Sequence, residues 1–494
     1  MTPLLRALVV LPVLALLACG GDGPSTTVEP NPTPVQPGPT EPGPTQPSPT
    51  GPAERVVINS ATRFQTIDGW ATHLRMWEED KGANRFDPTV NAQAALVHKY
   101  LGDEVGINSV RLEIPSAIEN PTNRWKEFSE GRMSYTTWQS TRFEKINDNA
   151  DPNVANMAGF TFENLDWRID RMLLPLKAAV EARGEKLHIN VNYTDFKWSG
   201  SSVQGSLSHA NNPNEFAEFV TVCFLHLRNK YGIVPDAFEV ILEPDNTDGW
   251  RGANIGRGLV AAVDRLRANG FTPEIIAPSG STLGWSISYF DEMMAVPGVP
   301  SLVKTYAYHR YGTPTSAELT AIRSRAQSRG MKTAMLEKVD AGIDVLLEDL
   351  TAGQVSAWQQ WASSQITTNS DNGGYYARFD PGTGKVGMAR LTDQLSQVFQ
   401  YVRRGAVRID ARSTSDNRTA VAFQNPDGAR VVVIRTKGSV GEFAVEGLPA
   451  GRYAQRFVSD ARRREDRAPV TVAAGGLLVT DIKEAGVLTV FPAR

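Results

Sequence analysis

The chain has 494 residues, of which 41% are hydrophobic and 21% charged, with a formal charge of −3. That length exceeds what one hydrophobic core usually organises, so two folded domains with tails are expected. The near balance of 51 basic and 54 acidic side chains, without a basic stripe, argues against nucleic acid as a partner. The six histidines are scattered without metal-ligand spacing, so no metal is implied, and no other cofactor is implied either.

In chain order, the first element is an apolar run from Leu4 to Ala18 with Arg6 near its start. It is too short for a transmembrane helix and ends in small residues, as a signal peptide does. Leu16-Leu17-Ala18-Cys19 resembles a bacterial lipobox, which implies cleavage before Cys19 and its lipidation. Residues 1–19 are therefore expected to direct export to the cell envelope, either lipid-anchored at an outer membrane or cell surface, or secreted. That anchor is the only membrane contact expected. Residues 20–53 are mostly Pro, Thr, Gly and Ser. Such a segment cannot bury enough apolar surface to offset its ordering entropy, and it reads as a disordered, semi-rigid spacer.

From residue 54 to 400 strands and helices alternate. Short apolar runs rich in β-branched residues fall at 66–71, 107–114, 187–193, 238–242, 275–278, 303–308, 333–336 and 355–361. Between them lie amphipathic patterns of helical period at 166–183, 214–231, 255–269, 317–329 and 391–404, several ending at Gly as helix C-caps prefer. This is α/β patterning, and eight strand–helix units predict a closed (β/α)8 TIM barrel. An open doubly wound sheet would carry a Gly-rich phosphate turn, which is missing. Residues 120–162, polar and aromatic, read as an elaborated rim loop, and Cys223 reads as a buried free thiol. Residues 401–494 lose the helical period and show eight short alternating strands separated by turn residues, predicting a β-sandwich. A strand at 55–59 is expected either to open the barrel or to join that sandwich.

Barrel enzymes place their chemistry at the C-terminal ends of the strands. The fourth strand runs Phe238-Glu239-Val240-Ile241-Leu242-Glu243-Pro244, and the seventh Thr333-Ala334-Met335-Leu336-Glu337. Glu243 and Glu337 thus end strands that face each other across the mouth. Cleavage of a glycosidic bond needs such a pair, one carboxylic acid to protonate the leaving oxygen and one carboxylate roughly 5 Å away to attack the anomeric carbon.

The order of motifs resembles clan A glycoside hydrolases and, within them, family 30 and its relatives (glucosylceramidases, β-1,6-glucanases, xylanases). Ile67-Asp68-Gly69-Trp70 is similar to that group's opening turn, and Tyr308-His309-Arg310-Tyr311-Gly312 to its sixth-strand His-x-Tyr. Trp358-Gln359-Gln360-Trp361 resembles the eighth-strand tryptophan motif, and the run from Gln400 to Ile409 the passage into the sandwich. The resemblance implies a retaining β-glycoside hydrolase with carbohydrate as its partner, Glu243 as general acid/base and Glu337 as nucleophile. Substrate-binding candidates are Arg111, Tyr193, Trp198, His309, Tyr311, Trp361 and Asn246; Arg111 is also a candidate partner for Glu337. One departure stands out: the group has Asn immediately before the acid/base, whereas this chain has Leu242. Asn192 or Asn246 is the candidate substitute. The alternative is a catalytically inactive glycan-binding surface lipoprotein on the same fold.

Overall fold

The computed structural model describes residues 51–76, 88–196, 208–365, 374–380 and 382–493. The expected lipidation site Cys19, nearly all of the spacer, and Trp198 lie outside the described residues. Among those described, no helix is long and apolar enough to cross a membrane.

Eight parallel strands close a barrel in the order β2 (Gly69–His73), β3 (Ser109–Pro115), β4 (His188–Thr194), β5 (Ala237–Glu239), β6 (Glu274–Gly280), β7 (Val303–His309), β8 (Lys332–Glu337) and β9 (Val355–Gln360). Strand β3 shows why these segments choose this architecture. Val110, Leu112 and Ile114 belong to the large apolar core shared with the helices. Arg111 and Glu113 alternate with them and make their polar contacts inside the barrel. Part of the interior is plugged by a cluster of apolar side chains, Ala237, Ile276, Ala307, Ala334 and Leu336, with Ala357 packed against it. Charged and polar groups occupy the rest of it, in layers that the period-2 alternation of each strand feeds.

The outer helices follow the expected pattern. Helix Pro213–Tyr231 starts with Pro in its first turn, buries Phe216, Phe219, Val220, Cys223, Phe224 and Leu227, and stops at Gly232 in the left-handed region, φ 66°. Cys223 is buried and free. The rim segment 120–162 contains two short helices, Arg124–Ser129 and Tyr135–Thr141. Their Trp125, Phe128 and Trp138 form a small aromatic cluster of their own, which explains the segment's composition.

Strand β1 (Arg55–Thr66) does not enter the barrel; it pairs antiparallel with β13 (Val407–Ser413) and parallel with β16 (Val440–Glu446). The sandwich sheet runs β18 (Arg464–Val472), β17 (Gly451–Ser459), β20 (Gly486–Pro492), β15 (Arg430–Thr436), β14 (Arg418–Gln424), β13, β1, β16, β19 (Leu478–Ile482). Its core is Val56, Ile409, Val432, Phe443, Leu478 and Leu488 with their neighbours. Arg467 on one edge strand donates to Thr480 Oγ1 and Asp481 O on the other, at 2.9 and 2.7 Å.

Three features depart from the sequence expectation. The run at 66–71 is split, because Gly69 turns the chain between sandwich and barrel at φ 152°, where a Cβ would lie 2.8 Å from Asn108 Oδ1. After β9 a small sheet forms from β10 (Ala362–Gln365), β11 (Tyr375–Asp380) and β12 (Lys385–Met388), whose brevity hid it. The last helix is Thr392–Phe399, shorter than 391–404, because the following backbone pairs with Ile67 instead, at 2.8 Å in both directions.

Trp70 fastens the first barrel strand to the last helix and to the segment that leads into the sandwich. It is fully buried, stacks on Phe399 with centroids 4.9 Å apart, and donates its indole N–H to Val402 O at 2.7 Å. Trp70→Ala is expected to destabilise the protein by about 3–5 kcal/mol, as loss of a buried aromatic with an orphaned carbonyl should. A urea titration checks this; an unchanged midpoint would deny Trp70 that role.

Candidate active site

Glu243 sits four residues beyond the last paired residue of β5, yet the backbone keeps the direction of a strand. Val240 N–H donates to Ile276 O, Leu242 N–H to Tyr193 O and Glu243 N–H to Ser279 O, at 3.2, 2.9 and 3.1 Å. At Glu243 the chain turns sharply, with φ 45° and ψ 66°. A residue with a Cβ pays on the order of 1–2 kcal/mol for that conformation, and it persists only where the surroundings fix it. Pro244 follows, and Asn246 N–H closes the turn onto Glu243 O at 2.8 Å. Across the mouth, Glu337 ends β8 beside a register shift in β7–β8 pairing that sets His309 opposite it. One carboxylate oxygen of Glu243, one of Glu337 and a ring nitrogen of His309 all lie within 4.8 Å of one another.

The two carboxyl groups have opposite surroundings. Glu337 is ion-paired with Arg111 and accepts the Tyr311 hydroxyl at 3.0 Å. Glu243 is 7% exposed, and burial pushes its carboxyl up to about 7 against the opposing hydrogen bond from Asn246. Asn246 Nδ2 donates to Glu243 Oε2 at 2.8 Å, and His309 Nδ1 lies 2.8 Å from Oε1.

The His309 tautomer follows from its other neighbour. Arg111 Nη1 lies 3.3 Å from His309 Nε2, and a guanidinium can only donate. Nε2 is therefore an acceptor. Burial pulls the imidazole down to about 4, so the ring is neutral and its single proton sits on Nδ1, donated to Glu243. The set Glu243, His309 and Glu337 has ligand-like spacing for a cation, but both imidazole nitrogens are engaged and the fixed charge of Arg111 stands beside them. The arrangement suits an acid paired with a carboxylate.

Of the residues singled out in the sequence, Glu243, Glu337, Arg111, His309, Tyr311 and Asn246 converge here. Arg111 is fully buried and pairs with Glu337, the second of its two expected roles. Tyr193 corrects an expectation: it is fully buried among Phe216, Phe219 and Trp250, with its hydroxyl on His209 Nδ1 at 2.7 Å, so it is core and presents no surface to a substrate. Its strand-end position suggested otherwise because its cover of Phe216, Phe219 and Trp250 cannot be read from composition. Trp361 is half-buried and packs on Ala362, Tyr375 and Ala389 of the unexpected small sheet. Asn192 is buried with Nδ2 on Tyr193 O at 3.4 Å, whereas Asn246 touches Glu243 directly.

Sequence reasoning missed the charges that support Arg111. Glu239 lies 3.6 Å from it and holds Asn190 Nδ2 at 3.0 Å. Arg111 Nη2 also lies 3.3 Å from His73 Nδ1. Next to this, Glu113 takes Arg168 at 2.7 Å and Arg75 at 3.4 Å, cations that hold its carboxyl well below the usual range despite burial. The available signal was a charge at every second position of an apolar strand, as in Val110-Arg111-Leu112-Glu113-Ile114.

A family model described as the glycosyl hydrolase family 30 beta sandwich domain matches residues 405–445. No curated protein matches the chain. Among solved structures, the chain is similar to the catalytic domain of the family 30 xylanase C from Talaromyces cellulolyticus, at TM-score 0.62 and 15% identity over 89% of this chain and 100% of that one. A family 30 endoxylanase from Clostridium papyrosolvens C71 gives TM-score 0.61 at 15% identity, with 89% and 100% covered. The endo-β1,6-glucanase BT3312 gives 0.59 at 15% identity, with 89% and 94% covered. The resemblance carried by the sequence motifs thus holds at the level of fold, barrel and sandwich together, in a divergent chain.

The folded chain keeps on Glu243 a proton that an unfolded chain releases near pH 4.5. Its contribution to stability is therefore complete below pH 4.5 and lost as pH rises through about 7. Glu243→Gln should be more stable than wild type above pH 7, by about 1–3 kcal/mol, while Asn246→Ala should move the carboxyl titration further up. Thermal melts against pH and NMR of 13C-labelled glutamate check both. A Glu243 titration near 4.5 would refute the account.

Proposed function

We propose that the chain is a retaining β-glycoside hydrolase acting on a polysaccharide or glycoconjugate, with Glu243 as general acid/base and Glu337 as nucleophile. The observation that carries this reading is the pair itself. Two carboxyl groups approach within 4.8 Å at the ends of β5 and β8, one raised to about 7 by burial and the other paired with Arg111. Opposite proton environments at close range are what double displacement requires.

In the first step Glu337 attacks the anomeric carbon while Glu243 gives its proton to the departing oxygen, leaving a glycosyl ester on Glu337. In the second, Glu243 takes a proton from water, which displaces the ester. Stereochemistry is retained through two inversions. Tyr311 and Arg111 hold the attacking oxygens in place, and the Nδ1–H of His309 fixes the rotamer of Glu243. Leu242 is 2% exposed and its side chain has no hydrogen-bonding group, so Asn246 is the amide assigned to the sugar beside the acid. Export, with lipidation at Cys19, completes the proposal.

A silent glycan-binding protein on this fold would have no use for a strained backbone at Glu243 or for two close carboxyl groups in such different surroundings. Relatives named as xylanases and as an endo-β1,6-glucanase make xylan and β1,6-glucan the first polymers to try, beside aryl β-glycosides. Wild type should release product of retained anomeric configuration, read by NMR, with activity falling as pH rises through about 7. Glu243→Gln should lose about 10²–10⁴-fold and that alkaline limb, and Glu337→Gln at least as much. Turnover that survives in both variants would remove the pair from the mechanism.

A further inference from the structure

Trp285 is 49% exposed. The large apolar side chains more exposed than this among the described residues, Val154, Met157 and Val234, carry no ring. It is the third residue of the helix Leu283–Met294, and its backbone N–H is capped by Thr282 Oγ1 at 3.2 Å. One face of its indole is backed by buried Tyr289, with centroids 5.4 Å apart and planes 16° from parallel. The pair is a flat apolar plate on a fixed helical turn, wet on its outer side.

The plate lies beside the loop that follows Glu243, whose Arg251 and Asp245 act on Tyr289. The turn that launches its helix is the end of β6, where Ser279 O receives Glu243 N–H at 3.1 Å. Ser281 N–H holds the Asp245 carboxylate at 2.9 Å, and Ser281 O receives Tyr311 N–H at 3.1 Å. Burial raises the Tyr289 phenol, and the charges of Arg251 and Asp245 both reach it. The stack therefore borders the loop that carries Glu243. Since the acid gives its proton to the leaving oxygen, the departing part of the substrate lies on this side. A pyranose chain offers flat C–H faces for an indole plate.

We infer that Trp285, seated on Tyr289, binds the leaving-group portion of a β-glycan chain one sugar or more beyond the residue next to the cleaved bond, and so directs the enzyme to internal bonds of a polymer. This rests on the proposed glycosidase function, with Trp285 as a specificity residue. Its indole adds affinity where an aryl leaving group does not reach, so its loss is felt most on long substrates.

The test compares wild type, Trp285→Ala and Trp285→Phe on an aryl β-glycoside and on xylan and β1,6-glucan, with thermal melts to establish folding. Trp285→Ala should lower kcat/KM on the polymer roughly tenfold, through KM, with a several-fold smaller loss on the aryl glycoside, and Trp285→Phe should recover most of it. Equal losses on both substrates, or none on the polymer, would overturn the platform while leaving the carboxylate pair standing. If wild type cleaves nothing, the glycosidase reading fails. Affinity electrophoresis in gels containing xylan or β1,6-glucan then judges the platform alone. Retardation lost in Trp285→Ala and restored in Trp285→Phe supports it; equal mobility, or no retardation of wild type, overturns it.

Discussion

A guanidinium with no exposed surface must be neutralised where it stands, and Arg111 organises the barrel interior for that reason. Taking such a charge out of water costs several kcal/mol unless partners surround it, and removing one partner of a buried pair is worse than never having built it. Glu337 and Glu239 supply the opposite charge, while His309 and His73 each turn a ring nitrogen toward it. These partners come from β2, β5, β7 and β8, so a single side chain of β3 ties strands around the whole circumference. The same contact fixes the protonation of the site. By holding Nε2 of His309 as an acceptor, Arg111 sends the ring's proton to Nδ1 and so to Glu243.

Stability and chemistry pull against each other at Glu243. Its backbone is left-handed without being glycine, its carboxyl is buried, and its proton is retained to about pH 7 although the charge of Arg111 opposes this. A chain selected for stability alone would keep none of these. Many local rules are kept elsewhere. Gly232 caps its helix, Thr315 and Glu318 form a capping box, and small alanines help plug part of the barrel. Of the non-glycine residues with left-handed backbone, Glu243, Ser279, Asp340, Gln354 and Arg462, only Glu243 also carries a buried carboxyl whose titration is raised, and that coincidence marks the turn.

The barrel was legible in the sequence because eight short apolar runs alternate with amphipathic stretches of helical period, and the sandwich because that period is lost after Gly405. Glu243 and Glu337 stood out as polar residues ending apolar runs. The same rule misread Tyr193, since a strand end covered by Phe216 and Trp250 has the same sequence signature as an open one. Strands of four to six residues after β9 carried too few alternations to be seen. The network of Glu113, Arg75 and Arg168 was hidden for another reason: its members are distant in sequence, and only closure of the barrel brings them together.

Leu242 connects the two ends of this reasoning. An amide at that strand end would grip the reacting sugar, but here the side chain is buried alkyl and its backbone N–H is committed to Tyr193 O. The amide of Asn246 is turned on Glu243 itself, at 2.8 Å, where it opposes the rise in that carboxyl's titration. Polar grip on the reacting ring is thereby reduced, and binding energy for orientation must come from farther along the substrate. A rigid indole plate on the leaving-group side supplies contact of that remote kind. On this reading the loss of the Asn and the exposure of Trp285 are two parts of one adjustment, away from recognition of a single sugar and toward recognition of a chain.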